Sequence, residues 1–136
     1  MGTEKALLIA DGNPFTRDLL SVTLASAEYA ILTASHGEQA WGLMLTHHPS
    51  VVLLDVALPG QGGLELARAI KRHPDLSQTR VLILSASDRD TEVEAGLQAG
   101  AEAYLAKPFS PLQLVGIVHD AMGVDAEGGP IRRRAG

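Results

Sequence analysis

Short apolar runs recur along this chain, and each is followed by a longer stretch whose apolar residues fall at helical spacing. That alternation limits the fold more than any single motif does. Consecutive parallel strands need crossover connections, and a helix is the usual one. Ala6 to Ala10 is an unbroken apolar run closed by Asp11-Gly12-Asn13-Pro14, which reads as a strand meeting a turn, with Pro14 suited to a first helical turn. Leu20, Leu24 and Ala27, flanked by Phe15, Leu19 and Val22, then give a helical apolar face to about residue 26. A second strand is expected at 30–34 and a second helix at 38–47, carrying Ala40, Trp41, Met44 and Leu45, with Pro49 stopping it. Val51-Val52-Leu53-Leu54 and Val81-Leu82-Ile83-Leu84 are apolar on both faces, as strands covered by helices on two sides must be. They end on Asp55 and Ser85. Leu64, Ala67 and Ile70 mark a third helix, and Val93 and Leu97 a fourth that Gly100 closes. A fifth strand at 103–106 ends at Lys107-Pro108, and Leu114, Val115, Val118, Ala121 and Met122 form a last amphipathic helix. The expected fold is α/β, a three-layer (βα)5 doubly wound parallel sheet.

Composition narrows the function. At 136 residues and 46% apolar content the chain is long enough for one packed domain. It has no cysteine, so disulfides, thiolate metal sites and cysteine nucleophiles are excluded. Eleven Lys and Arg against sixteen Asp and Glu give a formal charge of −5, which argues against direct nucleic-acid binding. No apolar run approaches the ~20 residues that span a bilayer, so no membrane partner and a cytoplasmic location are expected. From Gly123 onward there is almost nothing apolar to bury, and Arg132 to Arg134 most simply form a solvated end. The expected division is a folded domain over 1–122 and a flexible tail over 123–136.

In open α/β sheets, ligands gather outside the carboxyl ends of the strands, where strand order reverses. The polar residues at those ends are Asp11, Asp55, Ser85 and Lys107. Each alone has an ordinary use: Asp caps helices, Ser closes turns and Lys is solvated. Together, two carboxylates, a hydroxyl and an ammonium on one rim suit a cation and a transferable anion, which points to phosphoryl chemistry. The Gly60 to Gly63 cluster lacks the spacing of a nucleotide loop. His47, His48 and His73 sit at helix ends without the clustered partners of a metal site, and Trp41 and Met44 are expected in the core.

The segments Leu-Leu-Ile-Ala-Asp-Gly-Asn-Pro (7 to 14), Leu-Leu-Asp-Val-Ala-Leu-Pro-Gly (53 to 60), Leu-Ser-Ala (84 to 86) and Gly-Ala-Glu-Ala-Tyr-Leu-Ala-Lys-Pro-Phe (100 to 109) resemble the receiver domain of two-component response regulators. Any one is weak, but four in order, each at a strand end, are specific. The resemblance implies a flavodoxin-like strand order 2-1-3-4-5 and phosphoryl transfer to Asp55 from a histidine kinase or phosphotransfer protein. It also implies Mg²⁺ held by Asp11, Asp55 and the backbone carbonyl of Ala57. Lys107 and Ser85 would contact the phosphoryl group, and Ser85 and Tyr104 would form the switch. A downstream effector protein is the implied reader, and the face of the fourth helix, fifth strand and fifth helix is the family's usual dimer and partner surface. The domain is thereby a phosphoacceptor for signalling and not a classical enzyme. A cis peptide is common in the family at the position of Lys107-Pro108.

Two positions depart from the family's pattern. Gly12 stands where a second acid usually follows the first, which implies weaker Mg²⁺ binding because affinity follows ligand charge. Asn13 offers an amide oxygen or a water as partial replacement. Gly62 likewise replaces an acid in the loop after the phosphoacceptor, so that loop is expected to be more mobile. The alternative to a phosphorylated receiver is a receiver-like module that binds its partner without phosphorylation; an unrelated flavodoxin-like cofactor binder is the third reading.

Overall fold

A computed structural model describes residues 5–87 and 89–123. Five strands alternate with five helices: β1 (Ala6–Ala10), α1 (Pro14–Thr23), β2 (Ala30–Ala34), α2 (Gly37–His47), β3 (Val51–Asp55), α3 (Gly63–Arg72), β4 (Arg80–Ser85), α4 (Asp90–Gln98), β5 (Ala103–Ala106) and α5 (Pro111–Met122). The sheet is parallel throughout, in the order β2-β1-β3-β4-β5. Chain order reverses between β1 and β3, so Asp11 and Asp55 emerge side by side at the switch point.

Alternation along the strands sorts the core into two layers. Leu8, Val52, Leu54, Val81 and Ile83 face α2 and α3, where Met44, Leu66 and Ile70 cover them. Leu7, Ile9, Leu53, Leu82 and Leu84 face α1 and α5, under Leu20, Leu24, Leu114 and Val118. Both faces of the central strands are therefore dry, which is why their sequence is an unbroken apolar run.

The helices are narrower than their apolar content implied. α1 ends at Thr23, short of residue 26, and only its Leu20 and the cap residue Leu24 reach the sheet. Phe15, Leu19 and Val22, expected to flank the buried face, are 86%, 55% and 78% exposed, and Ala27 is exposed too. The physical reason is geometric: a helix on a sheet buries a single stripe, and residues at i, i+4 and i+7 from Phe15 form a second stripe turned away from it. Leu45 and Leu97 are similarly half exposed, and the residue of α4 that is buried is Gly96. Met44 is fully buried and Trp41 partly so, its ring edge-on to His73 at 5.8 Å. The expected tail beyond Gly123 lies outside the described residues.

Candidate functional site

The first strand delivers Asp11 to the rim and the turn that follows fixes it. Asp11 Oδ1 accepts the Asn13 amide at 2.8 Å, its backbone carbonyl accepts Arg17 Nη1 at 2.8 Å, and the side chain is 1% exposed. Asn13 is the N-cap of α1: its amide oxygen accepts from the backbone N–H groups of Phe15 and Thr16 at 2.9 and 3.3 Å. That oxygen is thus engaged in capping α1.

β3 places Asp55 beside it, buried, with Oδ1 accepting the Ala57 amide at 3.1 Å. From β5, Lys107 reaches back between the two carboxylates, its Nζ lying 3.0 Å from Asp11 Oδ2 and 3.3 Å from Asp55 Oδ2. Burial works against the ammonium, but the hydrogen bond to Asp11 and the charges of Asp55 and Asp11 outweigh it and raise the Lys107 pKa above its usual value. The peptide Lys107-Pro108 is cis, and the Lys107 amide donates to the Ser85 carbonyl.

Ser85 closes its own turn, its Oγ accepting the Ser87 amide at 3.1 Å. Tyr104 donates its hydroxyl to the Ser87 carbonyl at 2.9 Å, so the loop after β4 is tied to β5. Asp55, Ser85, Tyr104 and Lys107 line one cavity of about 410 Å³. A neighbouring open cleft joins Asp11, Asp55, Ala57 and Lys107. All six residues singled out in the sequence thus converge on one rim.

Three glycines around the rim have distinct reasons, and the sequence hid two of them. A Cβ on Gly12 would lie 2.7 Å from Pro59 Cδ, so the ring of the β3–α3 loop fills the space beside Asp11. A Cβ on Gly63 would run into the Asp55 carbonyl oxygen, so α3 starts in direct contact with the backbone that carries Asp55. Gly37 packs equally close on Gln61, and its amide donates to the Pro59 carbonyl at 2.8 Å. Gly62, by contrast, is the N-cap of α3 with open space around it and no side-chain cap. Composition marked 60–63 only as a loop; the close approach of Gly63 leaves no local signal.

Comparison with known proteins converges on one family. The profile described as "Response regulator receiver domain" matches residues 7–119. Among curated relatives, the phosphate regulon transcriptional regulatory protein PhoB of Pseudomonas aeruginosa is 37% identical over 111 residues, covering 82% of this chain and 48% of that protein. Response regulator GtcR of Aneurinibacillus migulanus is 38% identical over 111 residues, covering 82% of this chain and 45% of its own length. The chain thus spans about half the length of these relatives. Among solved structures, a putative response regulator from Chloroflexus aurantiacus superposes with a TM-score of 0.81 at 34% identity, over 87% of this chain and 97% of that one. The BeF3-activated DrrB receiver domain gives 0.79 at 29% identity over the same shares.

Proposed function

The chain belongs to the response regulator receiver domain family, and from that premise we propose that Asp55 accepts a phosphoryl group from a histidine kinase or phosphotransfer protein and passes the signal to an effector protein. Accepting phosphate is the role expected of the family. The observation that supports Asp55 here is the triangle it forms with Asp11 and Lys107 at the sheet's switch point. In the transfer, an Asp55 carboxylate oxygen forms the O–P bond as the N–P bond of phosphohistidine breaks, and the electron pair leaves with the imidazole nitrogen. Lys107, already within 3.3 Å of Asp55, faces the phosphoryl oxygens as a point charge. Ser85 supplies a hydroxyl from the adjoining strand end.

The donor set also suits a hard divalent cation: the carboxylates of Asp11 and Asp55 border one open cleft together with Ala57, and Mg²⁺ takes a few oxygens and keeps waters. When bound, Mg²⁺ would neutralise charge on the transferring oxygens. Asp11, Asp55 and Ala57 would hold it. Since Lys107 is paired to both acids and Gly12 adds none, binding would be weaker than where a further carboxylate is present. That same crowding favours the second reading, a receiver-like module acting without phosphorylation: Pro59 lies over Gly12, where a further acid would need room.

The exposed stripe of α1 supports a protein donor. Phe15 borders the cleft of Asp11 and Asp55, and Leu19 and Val22 continue the apolar surface away from it. Among the described residues no helix is long and apolar enough to cross a membrane.

Incubation with acetyl phosphate and Mg²⁺, followed by intact mass measurement, tests the assignment. One phosphoryl adduct is expected, absent in Asp55→Asn; an adduct that persists in Asp55→Asn refutes the site. With a phosphohistidine donor protein, Phe15→Ser combined with Val22→Ser is expected to slow transfer at least tenfold, about the 1.4 kcal/mol lost with a docking contact. The rate with acetyl phosphate should stay unchanged. An absent adduct with every donor favours the phosphorylation-independent module.

A further inference from the structure

We propose that Arg17 is a positioning residue for the rim of Asp11 and Asp55: its guanidinium holds the peptide between Asp11 and Gly12, and through it sets how tightly the Asp11 carboxylate takes a divalent cation. The proposal rests on the reading of Asp11 as a cation ligand, and Arg17 acts on phosphoryl transfer only through that cation.

Asp11 is the acid that the turn between β1 and α1 brings to the rim, and Gly12 follows it directly. The Asp11 carbonyl belongs to the peptide joining these two residues, and with glycine on its far side that peptide rotates at less cost than with any other residue. A rotation there would carry the carboxylate off its partners. From the first turn of α1, Arg17 Nη1 donates to that carbonyl at 2.8 Å. The backbone amide of Arg17 also donates to the Asn13 carbonyl at 3.0 Å, so one residue closes the turn twice. On the other side, the Asp11 amide donates to the Ala34 carbonyl at 3.0 Å. Both backbone polar groups of this buried residue are therefore held, one by β2 and one by Arg17. A hydrogen bond from an ionised donor is stronger than a neutral one, which suits it to resisting a glycine's freedom. The contact also uses no carboxylate oxygen: Asp11 Oδ1 accepts the Asn13 amide, and Oδ2 faces Lys107 Nζ at 3.0 Å. Arg17 thus aims the acid without competing for the oxygens that a cation would take.

Arg17→Met keeps an unbranched stem and removes the donors, and it would be compared with the native full-length chain by NMR after ¹⁵N labelling. Without metal, the Asn13 amide should exchange with solvent about tenfold faster in Arg17→Met, because its acceptor is Asp11 Oδ1. Amides of the ladder between β3 and β4 should keep their native rates. Titrated with Mg²⁺, the shift of the Ala57 amide should give a dissociation constant raised about tenfold, the usual cost of losing a group that orients a metal ligand. With acetyl phosphate, the Mg²⁺ concentration for half the maximal rate should rise in the same ratio, and the rate at saturating Mg²⁺ should stay unchanged. The proposal is overturned if Asn13 exchanges at its native rate in the variant, if the variant binds Mg²⁺ as the native chain does, or if the saturated rate falls while the half-saturating Mg²⁺ does not move. Should Arg17→Met fail to fold, native chain labelled with ¹⁵N on arginine decides the contact: slowed rotation of the Arg17 guanidinium supports it, and free rotation overturns it. A native chain that takes up no Mg²⁺ defeats the cation reading and the proposal with it, whereas native-like uptake by the variant defeats the proposal alone.

Discussion

Adjacent glycines can serve opposite purposes, and Gly62 and Gly63 do. Gly63 has no room for a side chain, because its Cβ would meet backbone atoms of Asp55 and Val56 that cannot rotate away. Gly63→Ala should therefore lower stability by about 1–3 kcal/mol, the usual range for overpacking. Gly62 stands at the N-cap of α3 in open space, and Gly62→Asp should raise stability by a few tenths of a kcal/mol by capping that helix. Urea midpoints of the two variants would show it; a Gly63→Ala midpoint equal to the native one would contradict the contact. Residues at strand ends were legible in the sequence because the end of an apolar run fixes where Asp11, Asp55, Ser85 and Lys107 emerge. Gly63 was not, because what excludes a side chain there comes from another part of the chain.

At the level of elements, strands were easier to read than helix faces. A central parallel strand is buried on both sides, so its sequence has one interpretation; a helix has a buried and an open side, and apolar residues on the open side of α1 mimic a wider buried face. α5 shows the converse. His119 looks like a polar interruption in that helix, yet it is 7% exposed, edge-on to Tyr29 at 6.2 Å, and its two ring nitrogens have no hydrogen-bond partner among the described residues. A buried polar group without a partner destabilises the fold. His119→Phe keeps an aromatic edge for Tyr29 and removes both nitrogens, and should raise stability by about 1 kcal/mol. Chemical denaturation checks this, and a lowered midpoint would mean that the imidazole is in fact satisfied.

For the whole molecule, two titrating groups set the alkaline limit. The carboxylates of Asp11 and Asp55 raise Lys107 above its ordinary 10.5 despite opposition from burial, and burial raises Tyr29 above its ordinary 10.0. Each folded value exceeds the unfolded one, so each contribution is complete below the unfolded value and is lost as pH rises through the folded one. Stability should hold on the alkaline side up to about pH 10 and then fall, and Tyr29→Phe should remove part of that fall. Denaturation midpoints across this range give the answer; a native-like fall in Tyr29→Phe would leave Tyr29 with no share in it. The sequence by itself determined the (βα)5 order, the parallel sheet and the four strand-end side chains, because local periodicity and the ends of apolar runs encode them. Only the tertiary structure decided that Lys107 closes on both acids and that Pro59 fills the space over Gly12. Those contacts join residues far apart in the chain, and their distances follow from how helices and loops settle on the sheet.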